Sequence, residues 1–432
     1  MTTASTRSGK YAWFALAVLI LAYVLAFVDR QLLNLLVEPI KHDLHLSDLQ
    51  ISLLQGLSFA LVLSISGLPV GRLVDLGVRT RILGGAVAVW SLATAACGLA
   101  GGYFQLLLAR MGVGIGEAAM TPSAYSLIGD YFPPRRQGIA IGFYSLGPHL
   151  GSGLALVLGA LAIRHLPDSA VLPLLGAVRG WQMVFLLLGL PGLVIALLVA
   201  LLREPARSGD TTSAPPLAEV LRWFKARAAP VALVNLAVAT AAIATYGLSA
   251  WAPTFFHRSF GMTAAEIGGR LGLVTMLAGS AGTFSAGLIG DWLVRAGRED
   301  GRLRVMAGAG ALAVPFVLAA PLMPSAGWSL ALLVPAVYFL TVVIGSGPAT
   351  LQLLTPPRLR GMQHAVAVLV VNLIGLGLGP TLVAFVTDTV LRDEARLGVA
   401  LAITLPIASL VSMLCALAAM RPLRRALAAG VA

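Results

Sequence analysis

Twelve apolar runs, each long enough to cross a bilayer and separated by short charged turns, dominate what this chain can fold into. They fall at about 12–37, 50–71, 81–101, 104–130, 137–162 and 181–202, then at about 229–254, 265–290, 304–323, 328–354, 362–388 and 397–420. A hydrocarbon core about 30 Å thick needs roughly 20 apolar residues of helix, and helices satisfy their own backbone where no water is present. The remainder of the composition agrees, since 58% of the residues are hydrophobic and only 11% charged, with a mean hydropathy of +0.90. A soluble domain cannot cover its surface with so few polar residues. The expected class is an all-α membrane protein of twelve transmembrane helices in two six-helix bundles. The first bundle covers 1–202, a polar cytoplasmic linker containing SGDTTSAPP covers 203–228, and the second bundle covers 229–432.

The chain carries a formal net charge of +12, but its cations are scattered among the short loops. That pattern argues against nucleic acid and for membrane orientation. With both termini inside, 21 of the 30 Lys and Arg residues fall on the cytoplasmic side, 7 on the other, and Arg30 and Arg110 within helices. The expected location is the inner membrane of a bacterium, with cytoplasmic termini. The run after Arg7 and Lys10 is too long for a cleaved leader and lacks a small-residue cleavage site, so it is read as a retained first helix. Cys97 and Cys415 sit inside expected helices and imply packing, with no disulfide.

The two halves repeat. Ser47, Gln50, Gly71, Asp75 and Arg79 correspond at a constant spacing of 216 to Thr263, Glu266, Gly287, Asp291 and Arg295. The first two of each set predict capping boxes, S-x-x-Q and T-x-x-E, where the second and eighth spans begin. PPRRQG at Pro133–Gly138 returns as PPRLRG at Pro356–Gly361, with a spacing of 223. A parallel duplication accounts for both.

GRLVDLGVRTR, from Gly71 to Arg81, resembles the G-x-L-x-D-x-x-x-R loop signature of the major facilitator superfamily. FVDRQLLNLLVEPIK, LLLARMGVGIGEAAMTPSAYSLIGDYFPPRRQGIA and TPPRLRGMQHAVAVLVVNLIGLGLGPTLVAFVTD are similar to bacterial members of the spinster family, whose animal relatives move lysolipids and sphingoid phosphates. The Asp-Arg pair and the R-x-x-x-G-x-G-E-A run are also similar to organic anion carriers for galactonate and glucarate. The resemblance implies an alternating-access secondary transporter, usually monomeric, that needs no cofactor. It also implies a cytoplasmic latch between the halves, built from Gly71, Asp75, Arg79 and Arg81, with Asp130 and the repeated Asp291. The carboxylate of Asp75 would sit at a helix N-terminus, after Gly361, only while the halves are closed. A loop that merely orients the chain by its positive charge is the plainer alternative.

Ionisable groups at membrane depth cost several kcal/mol unless paired or watered, so each is a functional hypothesis. Four of them, Asp29, Arg30, Arg110 and Glu117, occur in the first and fourth spans. At about 1.5 Å per residue, Asp29 lies roughly 26 Å from the inner start of its helix and Arg110 roughly 10 Å from the outer start of its own. Glu117 is two turns deeper on the same face as Arg110. By the resemblance these spans border a central cavity. Burial disfavours a charged carboxylate and a neighbouring arginine favours it, so Asp29 and Glu117 are expected to carry protons while Arg30 and Arg110 bind an anionic headgroup. Fixed pairs, Asp29 with Arg110 or Glu117 with Arg30, that only brace helices are the alternative. The second half contributes Asn235, Tyr246, Gln352 and Asn372 as its polar groups, of which Tyr246 and Asn372 are taken as substrate-binding. One charged wall and one apolar wall suit an amphipathic anion such as a lysolipid.

Other signals read as packing. Gly112, Gly114 and Gly116 follow no strand and are spaced G-x-G-x-G, which excludes a dinucleotide loop. Gly147, Pro148, Gly151 and Gly153, and Gly375, Gly377, Gly379 and Pro380, permit either close helix approach or a bend. His149, beside the first of these bends, is read as a packing histidine. Trp251 fits a cavity wall or an interfacial belt. His42 and His45, near Asp43 and Asp48, lack a convincing further ligand, so no metal is expected. Asp130 is read as a partner of loop arginines, with Arg135 and Arg136 its neighbours. No H-E-x-x-H and no usefully spaced Ser-His pair occur, so an enzyme is not expected. The functional alternatives are a proton-driven sugar-acid symporter and a transporter-shaped receptor that mediates no flux.

Overall fold

The computed structural model describes residues 9–173, 176–207 and 216–428. Most of the SGDTTSAPP run and Arg7 lie outside the described residues. The chain divides into two compact units, one comprising Met1–Asp210 with Thr263–Gly272, the other Thr211–Met262 with Leu273–Ala432.

In the first unit, α1 (Lys10–Leu35) runs through Leu36 into α2 (Val37–Leu44). A short α3 (Asp48–Ser52) continues through a π turn, Leu53–Leu57, into α4 (Ser58–Leu76). There follow α5 (Arg79–Cys97), α6 (Tyr103–Glu117), α7 (Met120–Tyr131), α8 (Pro134–Tyr144), α9 (Gly147–His165), α10 (Gly180–Gly189) and α11 (Gly192–Ala200). Between α9 and α10 an antiparallel hairpin, β1 (Ser169–Leu172) with β2 (Gly176–Arg179), pairs Ser169 with Arg179. The second unit contains α12 (Leu217–Ala226), α13 (Ala228–Phe260), α14 (Ala264–Arg295) from Leu273 onward, α15 (Gly301–Ala319), α16 (Ala326–Leu354) and α17 (Arg360–Val370). A π segment, Val371–Gly377, leads to α18 (Leu378–Phe385), a second one, Val386–Leu391, follows, and α19 (Leu397–Ala428) ends the described chain.

Eleven helical segments among the described residues are long and apolar enough to cross a membrane. The remaining expected span, the fourth, is α6 and α7, interrupted at Ala118 and Ala119. The twelve-span reading therefore matches the architecture, with two elements that hydropathy does not reveal. The hairpin is too short and polar to register as a span, and α12 stands where a linker was expected. That helix is amphipathic, and its Val220 and Trp223 are buried with Val231, Val234 and Leu303 in the apolar core of the second unit.

Both expected capping boxes form. Ser47 Oγ accepts from Gln50 N at 3.2 Å while Gln50 Oε1 accepts from Ser47 N at 2.9 Å. Thr263 Oγ1 accepts from Glu266 N at 3.3 Å and Glu266 Oε2 accepts from Thr263 N at 2.9 Å. Each pair satisfies amides that a helix start leaves free.

The glycine runs are seats for neighbouring helices. A Cβ on Gly116 would stand 2.8 Å from the Trp90 backbone nitrogen, and one on Gly114 would stand 3.2 Å from the Phe59 carbonyl oxygen. Gly151 faces the Val24 carbonyl at 2.6 Å, and Gly379 faces the Ile243 carbonyl at 2.8 Å. So α6 is seated on α4 and α5, α9 on α1, and α18 on α13. Trp251, which fits a cavity wall or a belt by sequence, is fully buried and donates from Nε1 to the Pro380 carbonyl at 2.9 Å, tying α13 to α18. Asn235 is also buried and donates to the Val231 carbonyl of its own helix, whereas Gln352 is exposed.

Candidate functional site

The four charged residues of the first and fourth spans come together inside the first unit. The Arg30 side chain lies back along α1, its Cζ 4.6 Å from the centre of the Phe27 ring. Helical side chains lean toward their N-terminus in this way. That lean brings Nη2 to Glu117 on α6, forming a hydrogen-bonded ion pair. Arg30 is the more accessible partner, with its side chain 11% exposed against 2% for Glu117.

Arg110 and Asp29 meet differently. Arg110 is fully buried and donates from Nη1 to the Asp29 backbone carbonyl at 3.2 Å, and from Nε to the Leu54 carbonyl at 3.3 Å. Leu54 lies in the π turn, where hydrogen bonds skip an extra residue and a carbonyl can be offered sideways. The Asp29 carboxylate is buried beside Thr94 and Arg110, and neither of its oxygens lies in good hydrogen-bond geometry to a partner among the described residues. Glu117 Oε1 and Arg110 Nη2 also have none. Of the two alternative pairings open in the sequence, the Arg30–Glu117 pair forms side chain to side chain, while Arg110 reaches Asp29 only through its backbone.

Four further residues, Phe59, Asn34, Gln31 and Gln55, carried no assignment from the sequence. Phe59 lies between the two cations, its ring centre 4.7 Å from Arg30 Cζ and 5.4 Å from Arg110 Cζ. Its negative ring face stabilises cations that have left water. Asn34, one turn beyond Arg30, bonds Gln31 and accepts from Gln55 Nε2 of the π turn at 3.1 Å. Asn34 and Gln31 follow Arg30 closely within an apolar helix, a polar cluster that could have marked them. Phe59 carries no such signal, being one of many aromatics in an apolar run.

The residues assigned to the second unit, Tyr246 on α13 and Asn372 in the π segment, are both half-buried.

At the end of α4 lies a second charged group. Arg79, the first residue of α5, is buried and binds Asp130, Glu204 (2.6 Å), Ser126 Oγ (2.8 Å) and the Pro205 carbonyl (2.9 Å). Glu204 Oε2 also accepts from Thr80 N at 3.0 Å, capping α5. Partial burial pushes the Glu204 carboxyl up, but the Thr80 amide and the Arg79 guanidinium outweigh it and hold the group below its ordinary range. Arg207 donates to the Val74 and Gly77 carbonyls, both at 2.8 Å, satisfying the end of α4. The segment expected as linker thus starts as a docked irregular stretch, Arg203–Arg207, and the partners of Arg79 belong to its own unit. Asp75 and Arg81 are exposed, and a Cβ on Gly71 would meet open space. Asp130, read as a partner of loop arginines, bonds Arg79, and Arg135 and Arg136 are exposed. In the second unit Asp291 accepts from Arg302 at 2.6 Å.

Near His42 and His45, Asp43 accepts from Trp181 Nε1 at 2.7 Å and Asp48 from Lys41 at 2.6 Å. Both carboxylates have structural work in place.

The sequence matches the family described as Major Facilitator Superfamily over residues 19–380. An "MFS-type efflux pump" of Mycolicibacterium smegmatis is 32% identical over 67% of this chain and 65% of its own length. A "Probable L-galactonate transporter" of Escherichia coli is 25% identical over 68% of this chain and 64% of its own length. The chain thus spans somewhat under two thirds of the length of these two relatives. Among solved structures, a bacterial homologue of the human lysosomal transporter Spinster, inward-facing and unoccupied, is similar with a TM-score of 0.77, 28% identity and 97% of each chain covered. A D-xylose–proton symporter shares the fold at a TM-score of 0.71 and 18% identity, covering 94% of this chain and 97% of its own. With a duplicated set of membrane-crossing helices, a charged cluster inside one bundle and a match over most of its length, the chain belongs to the Major Facilitator Superfamily, a family of membrane transporters rather than enzymes.

Proposed function

We propose that this transporter moves an amphipathic anion such as a lysolipid in exchange for, or together with, protons. The observation that carries the reading is the Arg30–Glu117 pair beside a fully buried Asp29 carboxylate that no cation pairs with side chain to side chain among the described residues. Protonating Glu117 dissolves the pair and frees Arg30, the most accessible of the four groups, for a phosphate or carboxylate. Arg110, held on two carbonyls, supplies a second positive charge behind it, and Asp29 is a second proton-carrying group. Tyr246 and Asn372, both half-buried in the second unit, are the further substrate-binding residues of this reading. The likeness to the Spinster homologue over nearly the whole chain agrees with the spinster resemblance of the sequence, and it is that resemblance that implies a lipid-like cargo. Gly71, Asp75, Arg79, Arg81, Asp130 and Asp291 serve a cytoplasmic latch, in which the network around Arg79 holds the loop in shape and the exposed Asp75 is the moving contact. The excess of Lys and Arg in one set of loops supports an inner-membrane protein with cytoplasmic termini, acting as a monomer.

Uptake into proteoliposomes with Asp29→Asn and Glu117→Gln is the test. Loss of pH dependence in either variant supports coupling, whereas unchanged pH dependence in both overturns it.

The galactonate relative, and a hexuronate transporter of Bacillus subtilis 29% identical over 42% of this chain, favour a second reading, a proton-driven sugar-acid symporter. Thermal stabilisation by a panel of lysolipids and sugar acids separates the two. Stabilisation by a sugar acid with inert lysolipids reverses the order.

A further inference from the structure

A groove of about 400 Å³ opens on the second unit where α14 ends and α15 begins. Its walls are apolar, with Leu293, Leu312 and Phe339 among them, and Arg298 and Arg304 also line it. The floor is firm, because Leu293 and Phe339 pack on the apolar core of the unit.

Arg298 is set in place by its backbone. Gly297 takes φ +80° and donates to the Val294 carbonyl, while Arg298 N donates to the Leu293 carbonyl. These are the two bonds of a Schellman motif that closes α14. The Arg298 side chain is exposed and makes no hydrogen bond or ion pair among the described residues. Arg304 donates from Nε to both oxygens of Asp300, at 3.1 and 3.2 Å, and Asp300 is already bonded by Arg424. One carboxylate therefore faces Arg304 and Arg424, and the Arg298 charge is left over. Gly308 lines the groove, and a Cβ there would meet nothing within 4 Å.

We infer that this groove is a binding site for one anionic phospholipid of the surrounding leaflet, its acyl chain in the groove and its phosphate on Arg298 and Arg304. Charge and depth select this occupant. The groove lies on helices that cross a bilayer, so its apolar walls meet acyl chains. The cations stand at the helix ends, where headgroups lie. A zwitterionic lipid matches the walls but gains less from an unneutralised arginine, and a soluble anion matches the arginines but leaves the walls wet. This site is separate from the charged cluster of the first unit and stands whatever the cargo is.

The purified full-length protein in detergent provides the test. Phosphatidylglycerol should raise the unfolding midpoint by about 3 °C or more beyond phosphatidylcholine of the same chains. Soluble glycerol phosphate should not reproduce the effect. Arg298→Gln should remove at least about half of the difference between the two lipids. Gly308→Phe, whose ring fills the groove, should abolish it, while Gly308→Ala should keep it. Equal stabilisation by both lipids, a full effect from glycerol phosphate, or a difference that survives both Arg298→Gln and Gly308→Phe overturns the site. If Gly308→Phe does not fold, the exposed Arg298→Gln decides the matter alone.

Discussion

Arg79 is only 1% exposed and holds Asp130 and Glu204 at once. Removing one member of a buried ionic group leaves the rest uncompensated, at about 3–5 kcal/mol. Arg79→Ala should therefore lower the thermal unfolding midpoint of the detergent-solubilised protein sharply. Arg81→Ala, at an exposed position two residues on, should change it little. The motif alone places both arginines in one loop with equal claims. Their separation depends on which one the docked Arg203–Arg207 segment covers, and that contact joins positions more than 120 residues apart. The cluster around Arg30 follows the same logic. Four ionisable groups in apolar helices stand out in a hydropathy reading because each is costly there. Which cation meets which carboxylate depends on helix phase and on the direction in which a long side chain leans.

Between helices, small residues decide how closely backbones approach. Gly116 faces the Trp90 nitrogen at 2.8 Å and the Ala86 carbonyl oxygen at 2.9 Å, both backbone atoms that cannot step aside. Gly116→Ala should destabilise by about 1–3 kcal/mol through overpacking, read as a lower unfolding midpoint. Gly129→Ala, on α7 with open space at its Cβ, is the control and should be neutral or stabilising. The G-x-G-x-G run therefore works as a helix seat, a role that the missing strand did not assign when it excluded a dinucleotide loop. The interruption of the fourth span at Ala118 and Ala119 had no such signal, since alanine is a strong helix former. Both alanines keep right-handed helical backbone angles, so the interruption is a local break in the hydrogen-bond ladder. Two further elements, the hairpin and α12, were invisible to a search for long apolar runs. The hairpin is held by strand pairing and α12 by the buried Val220 and Trp223 with the partly buried Phe224.

Across the whole molecule the duplicated units use opposite charges for one task. In the first, Arg79 at the start of α5 meets Glu204 beyond the end of α11. In the second, Asp300 before α15 meets Arg424 near the end of α19. Burial raises Asp300 and the Arg424 and Arg304 guanidiniums outweigh it, so it too is held low. Both carboxyls are lowered on folding, so each contributes stability that is complete above its ordinary range, 4.5 for Glu204 and 3.8 for Asp300. That contribution is lost as pH falls through the lowered folded values. Unfolding midpoints measured below pH 4.5 should decline, and Glu204→Gln with Asp300→Asn should flatten the decline. Orientation can be read separately, because Cys97 and Cys415 are buried. A cysteine placed at Arg295 should react with an impermeant thiol reagent only from the cytoplasmic side, and one at Arg396 only from the opposite side. The residues alone determined the membrane class, the spacing of the spans, the duplication and the family. The cost of burying a side chain in lipid belongs to its type and adds along the chain, so it can be read without coordinates. The Arg30–Glu117 pairing, the neutralisation of Arg79 and the groove beneath Arg298 were decided only by the tertiary structure. Each depends on distances of a few ångströms between helices that are far apart in sequence, and hydropathy and spacing do not carry that information.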